Sequence, residues 1–147
     1  MVATIGLVGL LLGLAGCPAP QGGAGAGSPP MVDNIKWWSD MSRASQEARD
    51  FKQPLVVDFG AEWCGFCKKL EKETFPAPEV QALKDKFVWA RVDTDATPEP
   101  ARKYNIEGLP TILVLDGNGK VLARLAGYLK PAEMAAFLLG ALAKAPR

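Results

Sequence analysis

Residues 58–75 read DFGAEWCGFCKKLEKETF. Cys64 and Cys67 stand there in a C-x-x-C spacing, in a chain of 147 residues that has one other cysteine and no histidine. The run before them, LVVDF (55–59), is short, rich in β-formers and bounded by Pro54 and Gly60, so it reads as a buried strand. The run after them, KKLEKETF, reads as a helix with Cys67, Leu70 and Thr74 on one face. Lys68, Lys69, Glu71 and Lys72 then point mostly outward. The pair therefore lies where a strand hands over to a helix.

Three chemistries suit such a pair. A closed structural zinc site takes four Cys or His ligands. The folded part supplies two cysteines and no histidine, so zinc would require a dimer sharing two pairs. A static disulfide would close a very small loop, for which the loop-entropy gain is small. A working redox pair gives each position a physical role. At a helix N-terminus, free N–H groups and the helix dipole favour a thiolate and lower the pKa of Cys64. Cys67, one turn inside the helix, is close enough to bond to Cys64 and is more shielded. On this reading Cys64 is the nucleophile and Cys67 the resolving thiol. Gly65 and Phe66 between them set the backbone and the relative stability of the two redox states.

Outward from the pair, the periodicity yields further elements. WWSDMSRASQEARDFKQP reads as an amphipathic helix with Met41, Ala44, Ala48 and Phe51 on one stripe, capped by Ser39 or Asp40 and ended by Pro54. PAPEVQALKDKF reads as a short helix with Pro78 in its first turn. FVWARVDTD (87–95) alternates and reads as a strand, and Thr97 can cap a helix from Pro98 to about Tyr104. TILVLD (111–116) and KVLARLAG read as strands joined by a turn at GNG (117–119). A last helix starts near Pro131, with Met134, Phe137, Leu138, Ala141 and Leu142 as its apolar stripe. Strands alternating with helices predict an α/β domain: a central mixed sheet with helices on both faces.

Composition bounds the class. Hydrophobic residues make up 48% and charged residues 22%, with a formal net charge of +1. Neither charge nor any basic block points to nucleic acid.

The N-terminal segment differs from the rest. MVATIGLVGLLLGLAG (1–16) is apolar, is too short to span a bilayer and has the length of a signal-peptide core, although no Lys or Arg precedes it. It runs into LAGC (14–17), which resembles the bacterial lipobox, whose cysteine is lipidated and becomes the first mature residue. Residues 17–31 then read as lipidated Cys17 followed by a flexible Pro/Gly/Ala linker, and 32–147 as the folded domain. A lipidated Cys17 has a thioether sulfur, which leaves Cys64 and Cys67 as the free thiols, outside the cytoplasm. Pro18 stands where an inner-membrane aspartate signal would be, which leans towards an outer membrane in a host that has one.

VVDFGAEWCGFCKKL is similar to the active-site segment of the thioredoxin family, V-D-F-W-A-x-W-C-G-P-C-K. The resemblance continues through ARVDTD, YNIEGLPTILVLDGNGKVL and LAGYLKPAEM, from about Trp37 to Leu142. KKLEKETFPAPEVQALKDKFV, with its E-x-x-T-F segment (71–75), is most similar to the C-terminal periplasmic thioredoxin domain of the DsbD thiol–disulfide interchange proteins.

The resemblance implies a thioredoxin fold and a set of roles. Cys64 attacks a client disulfide, and Cys67 resolves the mixed disulfide. Asp58 is the buried acid behind Cys67 and accepts its proton, unless it is an ordinary solvated strand-end residue. Arg91 stands where the family often has a lysine near that acid; it reads as a solvated strand charge, or, if it contacts Asp58, holds that pKa down. Trp63 shields the site, with plain core packing as its alternative. Pro110 matches a cis-proline facing the cysteines, which exposes the Leu109 backbone to an extended client. Trp63, Gly65, Phe66, Leu109 and Pro110 thus form the expected client-binding set. Two departures stand out. Phe66 replaces the family's proline, which bears on the reduction potential. Gly60 replaces a large aromatic, which leaves the surface beside the cysteines less covered.

These features predict an extracytoplasmic, lipid-anchored enzyme that reduces protein disulfides, periplasmic in a Gram-negative host. The redox-active pair serves without a cofactor or metal, and a membrane redox partner supplies electrons. The alternatives are a disulfide-forming oxidase and a non-catalytic module that holds clients.

Overall fold

Strand β3 (Leu55–Gly60) is buried along its whole length, as a β-branched run between Pro54 and a glycine should be at the centre of a sheet. This computed structural model describes residues 31–146. The expected leader (1–16), Cys17 and the linker up to residue 30 lie outside the described residues. Met31, expected as the end of the linker, is paired in a strand.

From the N-terminal side come β1 (Met31–Val32), β2 (Ile35–Trp38), α1 (Met41–Phe51) and β3. After the cysteine turn follow α2 (Gly65–Lys69), a π-helical turn (Leu70–Thr74), α3 (Pro78–Gln81) and a 3-10 turn (Lys84–Lys86). The rest is β4 (Val88–Asp93), α4 (Pro98–Lys103), β5 (Thr111–Leu115), β6 (Val121–Ala126) and α5 (Pro131–Leu142). Among the described residues, six strands form one mixed sheet in the order β1-β2-β4-β3-β5-β6. Strands β2, β4 and β3 run parallel; β5 and β6 run antiparallel to their neighbours, as does β1 to β2.

Alternation along the strands divides the core. Trp37, Val56, Ile112 and Val114 face Leu70, Phe75, Val80, Met134 and Leu138 on one side. Leu55, Val57, Phe59, Leu113 and Leu115 face Ala44, Ala48 and Tyr104 on the other. The first core is aromatic: the Trp37 ring meets Phe75 and Trp89 edge-to-face, with centroids 5.0 and 5.4 Å apart. Each such pair is worth about 0.5–1.5 kcal/mol beyond its buried area.

Three sequence expectations need correction. Trp37 and Trp38 belong to a strand, not to the first helix: Ile35 and Trp37 turn inward while Lys36 and Trp38 are half-buried. Helix α1 starts at Met41, where Asp40 Oδ1 accepts the N–H groups of Ser42 and Arg43. Phe51 does not join the buried stripe. It is exposed because α1 ends there, with Lys52 in the left-handed conformation and its N–H bonded to Ala48 and Arg49 carbonyls. Thr97 stands at the start of α4 but caps nothing with its side chain; its hydroxyl donates back to the Asp93 carbonyl.

The hairpin at 117–119 forms as expected. Asp116 Oδ1 accepts from the N–H groups of Asn118 and Lys120, and Gly119 supplies the positive φ of 84°.

Candidate active site

Central strand β3 stops at Gly60, and the chain turns through Ala61, Glu62 and Trp63 into α2. The Cys64 N–H closes that turn on the Ala61 carbonyl at 3.0 Å. Cys64 is the cap residue of α2, with extended backbone, and its Sγ accepts the N–H of Cys67 at 3.2 Å. Cys64 and Cys67 are joined as a disulfide with Cα atoms 5.3 Å apart. Both are buried, with Cys64 at 5% exposure and Cys67 at 2%. An amide aimed at Cys64 Sγ also stabilises a thiolate there once the bond is reduced.

The helix does not run on regularly. At Leu70 it widens into the π turn, where the Phe75 N–H reaches the Leu70 carbonyl. The wider turn keeps Leu70 and Thr74 both inside, and the Thr74 hydroxyl donates to the Leu129 carbonyl at 2.8 Å.

Around the disulfide, two aromatic side chains stand out from the surface. Trp63 is 71% exposed and Phe66 60% exposed. Trp63 is therefore not core packing. Its indole N–H donates to Asp95 Oδ2 at 2.9 Å, which holds the ring at the rim. Phe66 lies tilted against Tyr128, with centroids 6.3 Å apart, and Lys69 sits over the Tyr128 ring. Gly65 is exposed, with open space where a Cβ would be. Pro110 is buried at the start of β5, and the Leu109–Pro110 peptide is cis.

Gly60 is itself buried rather than a gap at the surface. A Cβ built on it would lie 3.3 Å from Cys67 Sγ, so the second cysteine occupies the space a side chain would need.

Asp58, 1% exposed, lies two residues before Gly60 on the same face of β3. Burial pushes its carboxyl up from 3.8 to about 6, although the charge and hydrogen bond of Arg91 pull it down; the nearby Glu71 adds to the rise. Arg91 is directly opposite Asp58 on β4, and its Nε donates to Asp58 Oδ2 at 3.1 Å. It is thus a paired residue, not a solvated strand charge: register puts it over the acid, and its side chain is 28% exposed. Its Nη1 lies 3.5 Å from Glu71 Oε1, and its guanidinium lies 4.2 Å above the Trp37 ring. Asp58 Oδ1 is buried without a hydrogen-bond partner among the described residues. A cleft of about 110 Å³ reaches this group, lined by Asp58, Gly60, Glu62, Lys68, Glu71 and Arg91 among others.

Sequence reasoning missed Trp37, Glu71 and Tyr128 as neighbours of the site. The inward alternation of Ile35 and Trp37 carries a signal for the first. Glu71 was expected to face outward, and no local pattern marks Tyr128. Among the described residues, no group of three or more His, Cys, Asp and Glu side chains could hold a metal ion.

Comparison with known proteins gives a consistent set of likenesses. The family model described as a thioredoxin-like domain matches residues 41–141. The thiol:disulfide interchange protein DsbD of Cronobacter sakazakii is 34% identical over 105 residues, covering 67% of this chain and 18% of that protein. The chain thus spans less than a fifth of the length of the DsbD relatives it matches. A thioredoxin of Acidithiobacillus ferridurans is 35% identical over 112 residues, covering 74% of this chain and 96% of that protein. Among solved structures, the oxidised C-terminal domain of Neisseria meningitidis DsbD superposes with a TM-score of 0.60 at 25% identity, over 70% of this chain and 97% of that one.

Proposed function

This chain belongs to the thioredoxin-like domain family, and from that premise we propose that it is a thiol–disulfide interchange enzyme that reduces protein disulfides. The observation that carries the reading is the Cys64–Cys67 disulfide, set at the carboxyl end of the central strand with exposed Trp63 and Phe66 beside it. The strand-to-helix turn is what makes the spacing reactive.

In the reduced enzyme the Cys64 thiolate attacks one sulfur of a client disulfide. One client thiolate leaves, and a mixed disulfide joins Cys64 to the client. Asp58 takes the proton of Cys67, whose sulfur then attacks Cys64 Sγ. The second client sulfur leaves as a thiolate. Two electrons have passed to the client, and the Cys64–Cys67 disulfide is restored. Leu109 and Pro110 at the start of β5, with Trp63, Gly65 and Phe66, form the surface proposed to hold the client chain.

The site works on the outer side of the cytoplasmic membrane, tethered through lipid on Cys17, and a membrane redox partner returns the two electrons. The similarity to DsbD and the absence of a histidine in the C-G-F-C motif support reduction over oxidation. Mass spectrometry of membrane-extracted protein tests the anchor: a lipid mass on Cys17 supports it, and an intact Met1 removes it.

Equilibration of the protein against glutathione tests the direction. A reduction potential near about −270 mV supports the reductase, and one near about −120 mV makes the protein an oxidant of folding clients. Cys67→Ala should accumulate mixed disulfides with clients in membranes. Full biological activity in Cys64→Ser would instead leave a binding module.

A further inference from the structure

Large apolar side chains stand out from the surface at both ends of the sheet. Trp63 and Phe66 flank the disulfide at one end. At the other, Met31 is 62% and Phe51 65% exposed, with Val32 open beside Met31, and thiol–disulfide exchange has no use for them. Met31 and Phe51 border one open cleft of about 390 Å³, which the buried Ile35, Phe87, Val88 and Trp89 also line. The cleft lies where β3 and β4 begin: Phe51 and Gln53 lead towards Leu55, which pairs with Val88. The cysteine turn follows the far end of β3, a distance of roughly 20 Å at the usual rise of a strand. Strand β1 is the end strand of the sheet and is exposed on both of its residues. A turn through Asp33 and Asn34, both at positive φ, folds it against β2, and its other edge has no strand beside it among the described residues. An apolar edge of this kind calls for a cover.

We propose that this pole, with Met31 and Phe51 at its centre, is a membrane-contact surface that seats the domain on the bilayer and turns the disulfide away from it. This rests on the lipid anchor at Cys17 given above. The occupant follows from where the chain enters the domain: the segment that carries the anchor ends at Met31, on the cleft itself. Only residues 18–30 separate Cys17 from Met31, and a Pro/Gly/Ala tether of that length would span roughly 20 Å. A lipid inserted at Cys17 therefore brings this end of the sheet to the bilayer before any other. It also holds the patch there at a millimolar effective concentration, so a weak contact suffices. The contact is apolar rather than led by charge, because two lysines of the cleft are already engaged. Lys36 Nζ lies 2.7 Å from Glu47 Oε1. Lys84 Nζ lies 3.9 Å from Asp85 Oδ1 and donates to the Asn34 carbonyl at 3.3 Å. Exposed Met and Phe side chains can instead enter the boundary between headgroups and acyl chains. With this pole down, Trp63 and Phe66 face outward, open to clients in solution.

The test uses the full-length protein as processed in cells, extracted from membranes and reconstituted in phosphatidylcholine vesicles whose acyl chains carry bromine, which quenches an indole only at close range. Phe51→Trp puts an indole at an exposed position of the patch, and the parent protein supplies the background of its native tryptophans. The emission added by Phe51→Trp should fall by about half or more relative to vesicles without bromine, as for a contact occupied at least half the time at the tether's effective concentration. Adding Met31→Glu should restore most of it, because a carboxylate does not enter hydrocarbon without compensation. Iodide in the water should quench the parent equally in vesicles and in detergent, since Trp63 faces outward. Added emission that bromine leaves unchanged overturns the proposal, and loss of the iodide quenching overturns the orientation. Shielding of Phe51→Trp from iodide without bromine quenching also overturns it, and assigns the patch to a second copy paired through β1. Mass spectrometry of the same preparation separates the two readings. A lipid mass on Cys17 with no bromine quenching sinks the membrane contact alone; no lipid mass sinks the anchor, and the contact with it.

Discussion

The Cα of Gly60 faces Cys67 so closely that a β-carbon there would lie 3.3 Å from the cysteine Sγ. Cys67 therefore fills the space that a side chain on residue 60 would need. Gly60→Val should destabilise the oxidised protein by about 1–3 kcal/mol through overpacking, with Gly60→Ala milder. Urea unfolding of the oxidised forms checks this; an unchanged midpoint for Gly60→Val would mean that Cys67 can move aside freely.

Asp58 predicts a pH dependence of stability with a definite sign. Its folded pKa, about 6, lies above the ordinary 3.8. Between those values the folded state holds the proton more often than the unfolded chain does. Stability from this group is then greatest at low pH and falls as pH rises through about 6, by roughly 2–3 kcal/mol in all. Asp58→Asn should abolish this limb and be the more stable protein at pH 8. The difference between the two unfolding curves across pH 4–8 isolates the effect from other carboxyls, and parallel curves would contradict the buried charge.

Trp63 separates stability from client handling. Because the ring is 71% exposed and bonded only at its N–H to Asp95, Trp63→Ala should shift unfolding by no more than about 0.5 kcal/mol. The same change should raise KM for a protein disulfide several-fold while kcat holds. A loss of stability of core size would instead place Trp63 among the packing residues.

Asp40 offers a check on the first helix. Its carboxylate accepts two backbone N–H groups at the start of α1. Asp40→Ala should cost about 1 kcal/mol, and Asp40→Ser should recover most of it. Thermal unfolding reads both.

What the chain declares about itself is what is local. The C-x-x-C pair, strand β3, the hairpin at 117–119 and the buried Met134, Leu138 and Ala141 of α5 all carry their signals within a few residues. Strand β2 does not: its four residues, two of them tryptophans, run straight into a helix cap and are too few to show a period of their own. The Arg91–Asp58 bond depends on the register of β4 on β3, and no pattern within either strand prescribes it. Tyr128 follows β6 in the link to α5, and its contact with Phe66 exists only in the folded chain. Phe51 fits the helical stripe by spacing, but the stripe runs out before the helix does.

The uneven burial of the indoles has an optical consequence. Trp37 and Trp89 are closed into the aromatic core and Trp38 is half covered, while Trp63 stands open beside the disulfide. A collisional quencher such as iodide should therefore reach chiefly Trp63. A bound client covering that ring would shield it, so occupancy of the site becomes readable from the intrinsic emission of the protein, with no label attached.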